Sequence, residues 1–193
     1  TMISRYNDGR IPSGVISEDK LLLAKRTGVD TDETTIVGFI EHARDQFLQN
    51  FEAFAFSRAL EIAWSVVARV DKMISDAKPW ELAKDENQKQ TLNAVLYRAS
   101  ETMRWLCVLL YPVMPAATLE IWKQLGLASN ANAASPGQIN PATLKWGELS
   151  EGTVITEVKP IFPRIDKVKV MKEINDTAES SNPRSSGEEA TST

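Results

Sequence analysis

Leu92, Val95, Leu96, Ala99, Met103, Leu106 and Leu110 recur every three or four residues, the spacing that lines one face of an α-helix. A stripe this long has to be covered by other helices, because helices in proteins owe most of their stability to packing of an apolar face. Candidates to cover it carry the same signature. Ile36, Phe39, Ile40, Ala43 and Phe47 form one face, and Leu60, Ala63, Val67, Val70 and Ile74 form another in a helix beginning near Ser57. Pro115 suits the first position of a fourth helix, through Leu119, Trp122 and Leu125, which Gly126 closes. The expected fold is all-α, an antiparallel helix bundle joined by short loops.

Proline and glycine punctuate the rest. Thr1–Tyr6 reads as the last turns of a helix whose beginning is missing, stopped at Asn7-Asp8-Gly9. Residues 11–30 form a connector with a short helix around Asp19–Ala24. A break near Gln49–Phe54 is packed by Phe51, Phe54 and Phe56. Trp105 and Cys107 flank the long stripe, with Met103 and Trp105 as core or interface residues, while Arg98 and Arg104 are expected to snorkel to solvent. The expected organisation is a bundle over 1–126, a flexible linker over 127–140, a segment over 141–175 that wraps back irregularly, and a disordered tail over 176–193.

Composition removes several function classes. The net charge of −4 argues against binding through a broad basic surface. It leaves open local recognition of unpaired bases by stacking and hydrogen bonding. No apolar run approaches the roughly 18–20 residues that span a bilayer. A lone Cys107 forms no internal disulfide, in keeping with a cytoplasmic location, and with His42 as the only histidine a zinc site is not expected. No catalytic residue is assigned, because no nucleophile, base or paired carboxylate converges on His42 in sequence. Lys72-Met73-Ile74-Ser75 superficially matches a lysine-rich signature loop, but its second lysine is missing and Ile74 continues the helical stripe.

Pro79 separates two of the helical segments and cannot donate within a helix interior, so the chain turns there. Trp80 is thereby fixed at a helix junction, between Lys78 and Lys84. An aromatic ring on a rigid turn either plugs the end of a core or offers its face to a splayed-out base.

Lys78-Pro79-Trp80-Glu81-Leu82-Ala83-Lys84-Asp85 resembles the motif between two helices in the anticodon-binding domain of bacterial methionine–tRNA ligases. Other pieces resemble it in the same order: Arg10-Ile11-Pro12, Tyr111-Pro112-Val113-Met114-Pro115, Ile121-Trp122-Lys123-Gln124-Leu125-Gly126, Trp146-Gly147 and Ile161-Phe162-Pro163-Arg164-Ile165-Asp166. The resemblance implies a bundle of the class I synthetase anticodon-binding type and recognition of the CAU anticodon of methionine tRNA. Trp80 would stack on a base, Pro79 would hold the indole, and Arg5 aligns with a basic position that faces RNA in some members. The family's own Asn and Arg readers fall upstream of Thr1, and Asp71 stands where the family commonly has asparagine.

Catalysis, with methionine, ATP and magnesium, is implied for a preceding catalytic domain of the same polypeptide. This chain itself has no HxGH-type pair, needs no cofactor or metal, and is expected to be inert alone and monomeric. The alternative is a helical protein-interaction module that uses Trp80 and Trp122 as apolar contacts.

Overall fold

The computed structural model describes residues 1–14, 33–128, 134–162 and 167–180. The chain divides into two units, Thr1–Lys159 and Pro160–Thr193. The short helix expected around Asp19–Ala24 lies outside the described residues.

The first unit is built from α1 (Met2–Tyr6), α2 (Glu33–Glu52), α3 (Phe56–Ala77), α4 (Pro79–Leu82), α5 (Lys89–Leu110) and α6 (Pro115–Gln124). Helix α2 packs on α3, α3 on α5, and α5 on α6, so short connections produce the expected antiparallel bundle. Among the described residues the only β-type pairing is an isolated bridge between Arg10 and Val154.

The helices end where local chemistry ends them. Helix α2 runs on to Glu52, through part of the expected break, and closes in a Schellman turn: Ala55 N–H donates to Asn50 carbonyl at 2.8 Å while Phe54 takes φ +57°. Phe51 meets Phe56 edge-on, and Phe56 meets Phe54. Of the three, Phe51 packs on the core as expected, whereas Phe54 and Phe56 are 80% and 46% exposed. Helix α6 starts with Pro115 in its first turn, and Thr118 Oγ1 donates back to Met114 carbonyl at 2.9 Å.

The buried face of α3 is Ala59, Ala63, Val66, Val70, Met73 and Ala77, and that of α2 includes Ile36, Ile40, Ala43 and Phe47. Helix α5 departs from the one-sided stripe. Leu92, Val95, Leu96 and Leu110 are buried as expected, but Met103 is 43% exposed, whereas Trp105 and Cys107 are sealed. Arg98 and Arg104, expected to reach solvent, are also buried. The cause is that α5 is the bundle's central helix, covered on most sides by α3, α6 and the segment beyond α6.

That segment is fastened by polar groups. Pro136 is buried beneath a capped turn, Ser135 N–H donating to Gln138 Oε1 at 2.8 Å, so this part of the expected linker is built into the bundle. Further on, residues 144–149 are held by a buried carboxylate. Glu101 Oε1 accepts from Arg104 Nη2 at 2.7 Å and Gly147 N at 3.0 Å, and Oε2 accepts from Arg104 Nε at 2.9 Å and Leu149 N at 3.2 Å. Arg104 also donates to Lys145 carbonyl at 2.7 Å, Tyr97 hydroxyl to Leu149 carbonyl at 3.0 Å, and Arg44 to Leu144 carbonyl at 3.0 Å. Residues 152–156 then run beside the N-terminal segment, with Ile11 N–H donating to Thr153 carbonyl and Ile155 N–H to Gly9 carbonyl.

The second unit contains α7 (Lys167–Ser180). It covers the short helix expected over Val168–Ile174 and extends past Asp176, where the tail was expected to begin.

Burial pushes the Cys107 thiol up to about 12, because a thiolate would lose its hydration there. Unfolding restores an ordinary thiol near 9.0. The unfolded chain therefore releases this proton from about pH 9 upward while the folded chain keeps it, and stability falls between there and about pH 12. Maleimide labelling at pH 8 is expected to follow the unfolding rate, and Cys107→Ala to flatten the alkaline fall in stability. Fast labelling of the folded chain would contradict this.

Candidate nucleic-acid interface

The corner after α3 is made by one backbone conformation. Lys78 takes φ +46° and ψ +66°, left-handed, and serves both as the C-cap of α3 and as the N-cap of α4. Its N–H closes α3 on Ile74 carbonyl at 3.0 Å, and its own carbonyl accepts from Glu81 N–H at 2.8 Å. Pro79 opens α4, where its missing N–H costs nothing and its fixed φ is already helical.

Spacing then decides which side chains face in. Pro79 is buried, and three residues on Leu82 is half-buried against the main core. Trp80, Glu81, Ala83 and Lys84 point outward. Trp80 is 45% exposed, so the indole is neither sealed as a core plug nor free of its support. Lys84 Nζ lies 2.9 Å from both Glu81 carboxylate oxygens. Lys78 remains exposed.

Arg5 stands at the same end of the bundle. It is exposed on the last turn of α1, its Cζ 5.5 Å from the centroid of the Tyr6 ring. Lys89 Nζ donates to Tyr6 carbonyl at 2.5 Å and so ties α1 to the start of α5. Arg5, Leu82 at the end of α4 and Ala83 just beyond it line one cleft of about 180 Å³. The three residues singled out in the sequence therefore divide by burial: Trp80 and Arg5 are exposed and Pro79 is buried. Missed in the sequence were Asp85 and Glu86, which line the same cleft. Asp85 closes the motif and Glu86 directly follows it, so adjacency was the available signal.

His42 is exposed on α2. Among the described residues no three His, Cys, Asp or Glu side chains gather as a metal site. Among those residues, too, no helix is long and apolar enough to cross a membrane.

A family model described as the anticodon-binding domain of tRNA ligase matches residues 33–182. The methionine–tRNA ligase of Caldanaerobacter subterraneus subsp. tengcongensis is 30% identical over 179 residues, covering 93% of this chain and 25% of the relative. That of Lactococcus lactis is 32% identical over 167 residues, covering 86% and 22%, and that of Listeria innocua 32% over 190 residues, covering 98% and 26%. The chain thus spans about a quarter of the length of these relatives. Free-state methionyl-tRNA synthetase from Mycobacterium tuberculosis shares the fold, with a TM-score of 0.66 at 23% identity, over 86% of this chain and 30% of that one. A helical module devoted to protein partners is not favoured by any of these matches.

Proposed function

Because this chain belongs to the anticodon-binding domain family of tRNA ligases, we propose that it reads the CAU anticodon of methionine tRNA for a methionine–tRNA ligase. The observation that carries this reading is the half-exposed indole of Trp80 on a corner anchored by buried Pro79. A base pulled out of the anticodon loop stacks on that ring, and the proline below keeps the ring from folding away. Stacking tolerates a net charge of −4, since it draws on the faces of the rings and needs few phosphate contacts. Arg5, on the neighbouring helix, supplies a cation for the loop. Methionine activation with ATP and magnesium belongs to a catalytic domain of the same polypeptide, in the cytoplasm. By itself the chain is inert as an enzyme and acts as a monomer.

Fluorescence anisotropy with a 17-nucleotide anticodon stem-loop tests this. The chain should prefer a CAU loop to loops with altered anticodons, and Trp80→Ala should weaken CAU binding roughly ten- to hundred-fold, as expected for loss of one stacked base. Circular dichroism establishes that the variant is folded. Undiminished affinity and discrimination in folded Trp80→Ala would remove the indole from recognition. An affinity that ignores salt concentration would count against RNA altogether, because phosphate contacts release counterions.

A further inference from the structure

Trp80 stands just beyond Lys78, the single residue that both ends α3 and begins α4. The indole is 45% exposed and makes no hydrogen bond or ring contact among the described residues. Polar and stacking contacts therefore do not fix where it points, and the backbone beneath it does.

That backbone is held in a conformation its own sequence disfavours. Lys78 has φ +46° and ψ +66°, a region where a Cβ crowds the following carbonyl. The residue before a proline is also pushed toward extended backbone, and Pro79 follows. Helix closure does not account for the choice. At Phe54, the left-handed residue that ends α2, two bonds form: Phe54 N–H donates to Phe51 carbonyl at 3.1 Å and Ala55 N–H to Asn50 carbonyl at 2.8 Å. At Lys78 the next residue has no N–H, so closure rests on Lys78 N–H donating to Ile74 carbonyl at 3.0 Å. The Lys78 side chain gives no reason either, being exposed and without an ion pair or hydrogen bond among the described residues. What holds the conformation is the packing on both sides of it: Ala77 is buried before the corner, Pro79 after it, and Leu82 lies against the main core. Strain over-determined in this way gathers at functional sites, where it pre-organises a surface.

We propose that Lys78 is a positioning residue for RNA recognition: its left-handed backbone, and not its ammonium group, aims the Trp80 indole before the anticodon loop arrives. An extended Lys78 would carry Pro79 and Trp80 off along a different line, and binding would then have to bear the cost of ordering the corner. The inference rests on the anticodon reading above and adds to it the element that pre-organises the ring.

The test compares two substitutions that remove the same charge, using the whole chain and the CAU stem-loop. Asparagine tolerates left-handed backbone, whereas a β-branched residue does not. Lys78→Asn should bind close to the unaltered chain. Lys78→Val should bind more weakly than Lys78→Asn by roughly five- to fifty-fold, part of the ten- to hundred-fold that one stacked base supplies. In a Trp80→Ala background the two should bind alike, because no indole is left to aim. A general loss of fold would not vanish with the tryptophan. Circular dichroism establishes that each variant is folded. Should Lys78→Val unfold, Lys78→Gly decides, since glycine leaves the left-handed region as readily as it enters it: it should bind more weakly than Lys78→Asn, again only while Trp80 is present. Equal affinity of the compared variants, or a difference that persists without Trp80, overturns the role of Lys78. In those cases a Trp80-dependent preference for CAU leaves the anticodon reading standing. Failure of the unaltered chain to prefer CAU over altered loops overturns both.

Discussion

Glu101→Ala is expected to destabilise the fold by roughly 3–5 kcal/mol, the usual cost of removing one partner of a buried ion pair. The carboxylate is fully buried and accepts from Arg104, from Trp105 Nε1 at 3.3 Å and from the backbone of Gly147 and Leu149. Its loss strands a guanidinium that is itself 4% exposed, with Glu148 at 3.2 Å as the remaining carboxylate. For a domain of this size the melting temperature should drop by roughly 6–20 °C. The Gly147 and Leu149 amides should lose hydrogen-exchange protection before the rest of the bundle, because they bond to the missing oxygens. Glu101→Gln, which keeps the shape and one acceptor, should fall in between. A loss below about 1 kcal/mol for Glu101→Ala would mean that apolar contacts alone hold residues 144–149 to α5.

Gly126→Ala should cost roughly 2–4 kcal/mol, combining left-handed strain with the loss of one or two backbone hydrogen bonds. Gly126 takes φ +79° in a Schellman turn, its N–H donating to Lys123 carbonyl at 2.9 Å and Leu127 N–H to Trp122 carbonyl at 3.1 Å. A Cβ there would lie 2.1 Å from Val154 carbonyl oxygen, which is backbone and cannot swing aside. Residues 153–156 would have to move, breaking the bond from Thr156 N–H to Gln124 carbonyl at 3.0 Å. Gly152 provides the control, since it has φ +78° and open space around its added Cβ. Gly152→Ala should show the conformational strain alone. Equal losses at the two sites in thermal melts would sink the argument from close approach.

Both predictions concern places that one-dimensional pattern renders poorly. Helical periodicity located α2, α3, α5 and α6, and Pro115 and Gly126 marked the ends of α6, because apolar spacing and backbone permissiveness are local properties. Arg98 and Arg104 were misplaced for the opposite reason. A charged side chain reads as solvent-facing until a partner is known, and part of Arg104's partnership comes from Lys145 and Glu148, some forty residues away. The i, i+3 spacing of Glu101 and Arg104 within an otherwise apolar helix was the signal available. Met103 erred for a related reason: a stripe tells that one face is covered, and α5 is covered around most of its circumference.

The candidate interface divides along the same line. Pro79 and Trp80 could be placed at a rigid corner from their order in the chain, since proline's geometry is its own. Whether the indole faced outward depended on where Pro79 and Leu82 found their core. That Arg5, Asp85 and Glu86 share a cleft depended on α1 lying against α5, a contact between segments more than eighty residues apart. The sequence by itself determined which segments are helices, where they break and which family they belong to, because those follow from local spacing and ordered motifs. Only the tertiary structure decided which charges are buried, which face of Trp80's helix is wet and what stands beside it. Burial and long-range pairing are properties of the assembled bundle and of no segment alone.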